Sequence, residues 1–359
     1  MSKLQLASLL VLTLVVGACG GASTAPAAAT SAATRAAATS AATPAATPAP
    51  TPSSPPRKIR VATGGLDFSQ VNNNKWVIDM KAAGVAEIEL VAFENAAQAT
   101  QATISGATDL LINAVLPIIQ LAQASGPTLT IVAVDLQAPD YILVGRKNVP
   151  DLKSLEGKKL GISTPGDISD TLSRITMKRA GVDASKVQFV RIGGTGARIA
   201  ALQAGSIDAG MAHAADAFAA ITKSPDLKNL FTVGTVVPRF IQHGLAVRGD
   251  FLQKDRALVQ KLVDGFIEST RWALKNKADY IALGKKEMKL TDDAVLSAAY
   301  DVFIQSNMFA ANGGLDDKTV EESIALQIES ESLKGAVPDK AKWLDATLVQ
   351  DFLKRKGSQ

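Results

Sequence analysis

Apolar positions along this chain fall into short runs of strand length that alternate with longer stretches of helical spacing. Lys58 to Thr63 reads as a strand and Val71 to Ala83 as a helix, followed by a strand at Glu87 to Phe93 and a helix at Ala96 to Ser105. Asp109 to Asn113 is a strand, Val115 to Ala124 a helix, and Leu129 to Val134 and Tyr141 to Arg146 are strands. After the polar stretch Pro150 to Lys159 the pattern restarts. Leu160 to Ser163, Val187 to Ile192 and Asp208 to Met211 are strands, separated by helices at Ser169 to Ala180 and Ala197 to Ala204. Ala214 to Thr222 and the strand-like Leu230 to Val233 complete this second unit. Beyond Gly249 the pattern is nearly all helical: Arg256 to Asn276, Lys277 to Lys286, Asp292 to Gln305, Asp317 to Ser330, and short pieces near Trp343 and Leu348. The alternation predicts an α/β body with two units of mostly parallel sheet flanked by helices, then a helical tail.

The two units share an internal echo. Ala102 to Asn113 reads ATISGATDLLIN and Ala201 to Ala212 reads ALQAGSIDAGMA. In each, a helix runs into a glycine, Gly106 or Gly205, suited to the left-handed position after a helix end, and an Asp three residues later opens a buried strand.

The N-terminus carries an address. Met1 to Lys3 is a short positive start, and the apolar run Leu4 to Val16 is too short to span a bilayer. Gly17 and Ala18 precede Cys19, the single cysteine of the chain, in an arrangement that resembles the bacterial lipobox. That resemblance implies a signal peptide at residues 1–18, acylation of Cys19 and a stable membrane anchor without a transmembrane helix. Residues 22 to 56 are almost entirely Ala, Thr, Pro and Ser, with no large apolar side chain to offset the entropy of ordering, so residues 19–56 are expected to form a disordered tether.

Composition removes several function classes. One cysteine and two histidines exclude a disulfide framework and a cysteine-built zinc site, and make a His-rich metal centre a poor expectation; oxygen-ligand sites stay open. Once the N-terminal Lys3 and Arg35 are set aside, the remaining positive and negative charges nearly balance, which is no nucleic-acid footprint. Gly193-Gly194-Thr195-Gly196 invites a dinucleotide reading, but Ile199 stands where the third glycine of that fingerprint belongs. No nucleophile elbow, HExxH or Walker loop is present, so no cofactor, no metal and no catalytic residue is expected.

Together the lipobox, the tether and the paired AxxxG-x-x-D segments resemble the bacterial solute-binding lipoproteins of ABC importers. The resemblance is greatest to the group that includes receptors for nitrate, taurine, alkanesulfonates and thiamine precursors. It covers about residues 57 to 359 and is carried best by LKSLEGKKLGISTPGDISDTL from Leu152 and RAGVDASKVQFVRIGGTGARIAALQAGSIDAGM ending at Met211. The loop after Val61 departs from the group, as do His213 and Asp216, where the group often carries small residues and proline. The likeness implies a two-lobed type II periplasmic binding protein fold, a Venus flytrap, in which a small-molecule solute sits between lobes. Lobe 1 is expected at 57–145 and 243–359 and lobe 2 at 146–242, with crossings near Leu143 to Lys147 and Gln242 to Arg248 and the helical tail returning to lobe 1. The implied function is an extracytoplasmic receptor, monomeric and lipid-anchored, that delivers its solute to a membrane permease. A ligand-sensing input lipoprotein of the same fold is the alternative, and an enzyme on that scaffold fits less well.

Ligands of open parallel sheets bind beyond the carboxyl ends of the strands, where helix N-termini leave amides unsatisfied. That rule selects five loops and nine residues for ligand binding: Gly65 and Asp67 after the first strand, Asn113 after the third, Thr164, Gly166 and Ser169 at the start of the second unit, then Thr195, and finally His213 with Asp216. Thr164 to Ser169 reads as an oxyanion nest, although Asp167 and Asp170 beside it work against an anion. Arg198 is expected to pair with a carboxylate such as Asp208. Arg239, Gln242, His243, Asp140 and Tyr141 are further candidates near the crossings.

Overall fold

The computed structural model describes residues 56–94, 96–124 and 129–359. The leader, Cys19 and the tether up to residue 55 lie outside the described residues. The chain runs β1 (Arg57–Thr63), a short 3-10 turn (Phe68–Gln70), α1 (Val71–Ala82), β2 (Ala86–Ala92), α2 (Ala96–Ile104), β3 (Leu110–Asn113), α3 (Leu116–Ala124) and β4 (Leu129–Leu136). Then come β5 (Tyr141–Arg146), β6 (Lys159–Ile162), α4 (Ile168–Arg179), β7 (Gln188–Arg191), α5 (Thr195–Gln203), β8 (Ala209–His213), α6 (Ala214–Lys223), β9 (Leu227–Thr232) and β10 (His243–Arg248). The tail holds α7 (Gly249–Lys254), α8 (Arg256–Lys275), α9 (Lys277–Met288), α10 (Asp293–Gln305), α11 (Asp317–Glu329) and α12 (Thr347–Lys356).

The strands form two five-stranded sheets with orders β2-β1-β3-β10-β4 and β7-β6-β8-β5-β9. In each, one strand runs against the rest: β10 pairs antiparallel with β3 and β4, and β5 antiparallel with β8 and β9. Those two strands are the ones that enter from the opposite lobe, which is why their direction is reversed. The remaining strands of each sheet share one direction, as the βαβ alternation predicts.

The sequence echo is a structural repeat. Gly106 and Gly205 both adopt positive φ, +79° and +71°, just past the ends of α2 and α5. At each helix end two amides close back on the last turn, Gly106 to Thr103 O and Ala107 to Ala102 O, then Gly205 to Leu202 O and Ser206 to Ala201 O. The following aspartates clamp β1 in one sheet and β6 in the other. Asp109 Oδ2 accepts from the Arg60 amide at 2.8 Å, and Asp208 Oδ2 accepts from the Lys159 amide at 2.9 Å. Asp208 is therefore committed to the backbone and forms no pair with Arg198, contrary to the sequence expectation.

The lobe crossings differ from those read off the sequence. β5 belongs to the second sheet, so the first change of sheet falls at residues 137–140 and not at Leu143 to Lys147; the second falls at 233–242. The apolar run Tyr141 to Gly145 looks alike whichever sheet receives it, and only the pairing with β8 and β9 assigns it. The two crossings are bonded to each other: the Phe240 amide donates to Gln137 O at 2.7 Å and the Gln242 amide to Leu136 O at 2.9 Å. Such a two-segment hinge allows rotation of one sheet against the other while the hydrogen bonds hold.

The tail is also shared more widely than expected. α7, α8 and α12 pack on the first sheet and α1, but α10 packs on α6 and α11 on α4, both in the second lobe. α1 is fixed to α8 by Trp76, fully buried, whose Nε1 donates to Leu262 O at 3.0 Å and whose ring meets Phe266 edge-on at 5.4 Å. A second core gathers the aromatic residues Phe68, Tyr280, Tyr300, Phe303 and Phe309. Tyr280 donates its hydroxyl to Phe68 O at 2.7 Å, which pins the loop that carries Asp67. Among the described residues no helix is long and apolar enough to cross a membrane.

Candidate functional site

A cleft of about 720 Å³ opens where the carboxyl ends of both parallel strand sets face one another. All nine residues selected from the sequence line it: Gly65, Asp67, Asn113, Thr164, Gly166, Ser169, Thr195, His213 and Asp216. His243, Tyr141 and Arg198 line it as well. Arg239 does not, being paired with Glu322 at 3.4 Å, and Gln242 is buried in the hinge behind it.

Two of the lining loops are built alike. After β1, Asp67 caps the following turn: its Oδ1 accepts from the amide and the hydroxyl of Ser69 at 2.8 and 2.6 Å. After β6, Asp167 does the same for α4, its Oδ1 accepting from the Ser169 amide at 3.0 Å, the Ser169 hydroxyl at 2.8 Å and the Asp170 amide at 3.1 Å. Ser169 Oγ in turn accepts from the Ser163 amide at 2.8 Å, and Asp170 Oδ2 accepts from the Gly166 amide at 2.8 Å. Gly166 sits at φ +81°, and a Cβ there would project into open space, so glycine is required by the turn and not by crowding. Two amides of the expected oxyanion nest, those of Gly166 and Ser169, are thus occupied by the protein's own carboxylates.

Asn113, at the end of β3, both accepts and donates: its Oδ1 takes the Ala114 amide at 2.8 Å and its Nδ2 reaches Ala96 O at 3.1 Å. Arg198 is 3% exposed and donates to Met211 O at 2.7 Å, to Thr195 Oγ1 at 3.1 Å and to Gly193 O. Burial holds its pKa below the usual guanidinium value, and it makes no ion pair among the described residues.

At the hinge side an ionic bridge joins the lobes. His213, at the end of β8, donates Nδ1–H to Asp140 at 3.0 Å, while its Nε2 lies 3.1 Å from the Tyr141 hydroxyl and 3.5 Å from Asp67 Oδ2. Asp140 also accepts from Gln242 Nε2 at 3.0 Å, linking both crossings to the same carboxylate. Burial alone would lower the His213 pKa, but attraction by Asp140 and Asp67 overrides it and lifts the imidazole to about 10. Burial likewise pushes the Asp140 carboxyl up, and the neighbouring imidazolium with the Gln242 donor more than reverses this, leaving it below the ordinary carboxylate value. The result is an imidazolium clasped by two carboxylates at neutral pH. Asp67, Asp140 and His213 bring ligand-type atoms within 4.8 Å of one another, the one such group among the described residues. Both ring nitrogens of His213 are engaged, Nδ1 by Asp140 and Nε2 by Tyr141 and Asp67, so in this structure the group is an ion bridge.

Several groups in the cleft stay unmatched among the described residues, including Asp216, His243 and Arg191. Asp216, in the first turn of α6, makes no hydrogen bond or ion pair among the described residues; enclosure by the cleft and repulsion from Asp67 and Asp140 raise its pKa, against the attraction of His213 and Arg198. His243 is neutral, pushed down to about 4 by burial and by the charge on His213, and its Nδ1 has no partner. Both histidines of the chain therefore face one cleft in opposite protonation states. Their scarcity in the sequence was the signal that could have put His243 beside His213. Gln70, also in the lining, had no such signal, because nothing distinguishes it within the polar run Gln70 to Asn74.

Solved structures of similar shape place the fold. The periplasmic aliphatic sulphonate binding protein SsuA of Escherichia coli is 19% identical and superposes with a TM-score of 0.64, over 81% of this chain and 93% of that one. The periplasmic nitrate-binding protein NrtA of Synechocystis is 11% identical with a TM-score of 0.69, over 84% and 89%. A ligand binding component of an ABC-type import system from Staphylococcus aureus, with zinc bound, is 15% identical with a TM-score of 0.67, over 82% and 98%. The chain has the two-lobed periplasmic binding protein fold that its sequence resemblance implied. No curated protein matches it in sequence. The family description NMT1/THI5 like matches residues 81–279, more than half of the chain, and the chain belongs to that family.

Proposed function

We propose that the protein is an extracytoplasmic receptor of an ABC importer, which captures a small molecule between its lobes and delivers it to a membrane permease. The observation that carries this reading is the cleft itself: two sheets of identical strand order open their carboxyl ends onto one space of about 720 Å³. The hinge that joins them is two hydrogen-bonded segments, a construction suited to closing on a guest. Gly65, Asp67, Asn113, Thr164, Gly166, Ser169, Thr195, His213 and Asp216 are the proposed contacts. A binding role without chemistry is part of this proposal and is supported by membership of the family. The leader with Cys19 is proposed to anchor a monomer to the outer side of the membrane through its tether.

A thermal-shift screen of the full chain against sulfonates, nitrate, pyrimidines, amines and short peptides tests the reading. Stabilisation by one class, lost in Thr164→Ala and Asn113→Ala, supports it. A chain that responds to no small solute sinks it. Metabolic labelling with a radioactive fatty acid, compared between wild type and Cys19→Ser, tests the anchor.

A further inference from the structure

The charges left unspent in the cleft narrow the class of solute, an inference that rests on the receptor reading above. Most ionic side chains of the lining are committed. Asp67 holds Ser69, Gln70 and His213, Glu94 takes Gln98 Nε2 at 3.3 Å, Asp167 caps α4, and both ring nitrogens of His213 are engaged. Arg198 donates to three neutral oxygens. Two opposite charges remain. Arg191, at the end of β7, is exposed in the lining, and its side chain has no hydrogen bond or ion pair among the described residues. Asp216, in the first turn of α6, is exposed in the same lining and equally without a partner.

Both charges belong to lobe 2, and α5 opens beside Arg191 in the chain. It begins at Gly194 with no side-chain cap, and a Cβ on Gly194 or Gly196 would meet nothing within 4 Å, so an acid group can come up to the opening amides. Arg198 ties this place to Asp216: its Nη2 donates to Thr195 Oγ1 at 3.1 Å, and its charge and that of Asp216 attract one another. Across from them lobe 1 supplies Leu116 and Pro117, and its two lining carboxylates, Asp67 and Glu94, are both spent. An anion alone would suit Arg191 and the α5 amides and leave Asp216 repelling it, a cation alone would reverse the mismatch, and a neutral guest would leave both charges unanswered. A guest with both charges matches. The planar fork of Arg191 is suited to two parallel bonds with a carboxylate.

We propose that the solute is an amino carboxylate zwitterion, its carboxylate taken by Arg191 and the opening amides of α5 and its ammonium by Asp216.

Calorimetric titration of the full chain tests this with β-alanine, γ-aminobutyrate and ε-aminocaproate, which set the two charges at increasing spacing, against caproate and hexylamine, which carry one charge each. At least one zwitterion is expected to bind about tenfold or more tighter than either single-charge compound. Arg191→Gln and Asp216→Asn are each expected to weaken it about tenfold and to leave the melting temperature unchanged, because neither side chain bonds within the protein. The variants are also expected to part in preference: Asp216→Asn turns toward caproate and Arg191→Gln toward hexylamine, a divergence that a structural role for either residue would not produce. Caproate or hexylamine binding as tightly as every zwitterion, taurine binding more tightly than β-alanine, or zwitterion binding indifferent to either substitution overturns the proposal. If none of these compounds binds, the hit of the wider solute screen decides. An amino carboxylate, free or as the two ends of a short peptide, lost in both variants sustains the proposal; any other hit, or one kept by either variant, overturns it; and no hit at all removes the receptor reading on which it stands.

Discussion

The loops after β1 and β6 occupy the same place in their sheets and use the same device, an Asp followed two residues later by a Ser that the Asp caps. They differ in what the second carboxylate oxygen does. Asp67 Oδ2 turns outward, taking Gln70 Nε2 at 3.0 Å and facing His213 of the other lobe at 3.5 Å. Asp167 spends its contacts on its own helix, and its loop is locked instead by Ser169 and Asp170. One loop is therefore a structural cap that also reaches across the cleft, and the other is a cap alone. The lesson is that equal local chemistry does not give equal roles: the partner across the cleft, His213 held by Asp140, makes the first loop an arm of the lobe closure.

The bridge is the strongest place to break this asymmetry. Asp140→Asn is expected to lower unfolding stability by about 3 kcal/mol in urea, since it strips a buried cation of its closest counter-charge. NMR titration of His213 in this variant should move from about 10 toward its ordinary 6.5. An unchanged His213 would mean that Asp67 alone holds the charge.

The pH dependence follows with a definite sign. His213 has a folded pKa of about 10 above the ordinary 6.5, so its stabilisation is complete below about 6.5 and is lost as pH rises through about 10. His213→Gln should remove that decline. Lobe 1 adds a second window: Asp135, fully buried under α1, is raised to about 7 by burial against the donors of Asn72 and Asn73. Because the folded state keeps this proton longer than the unfolded chain, stability falls as pH rises from about 4 through about 7. Asp135→Asn should flatten the lower window and leave the upper one intact, as read by melting temperature across pH.

The two serines sharpen the comparison at smaller cost. Ser169→Ala is expected to cost about 2 kcal/mol, because it leaves the Ser163 amide without an acceptor as well as removing the bond to Asp167. Ser69→Ala loses only a bond to a carboxylate that has other donors and should cost about 1 kcal/mol or less in the same denaturation assay. Equal costs would mean that the two loops are equivalent after all. The smallest effect is expected at Asp216→Asn, a change within about 0.5 kcal/mol, as for a side chain that touches nothing. A larger loss would assign Asp216 to the start of α6 as a structural charge.

Much of this was written in local pattern. The strands and helices, the Gly106 and Gly205 turns with their aspartate clamps, and the loops that line the cleft follow from periodicity and capping chemistry, which are properties of neighbours in sequence. The cleft position follows from the same reading, because strand direction dictates where loops converge. What sequence alone could not decide is which sheet accepts β5, whether α10 and α11 pack on the first lobe or the second, and where the spare valence of each polar group goes. An apolar strand is attracted equally to either sheet edge, and a carboxylate caps a helix or crosses a cleft with the same atoms. Only the three-dimensional arrangement, by placing Asp67, Asp140 and His213 within bonding reach and leaving Asp216 outside it, separated the bridge from the open acceptor.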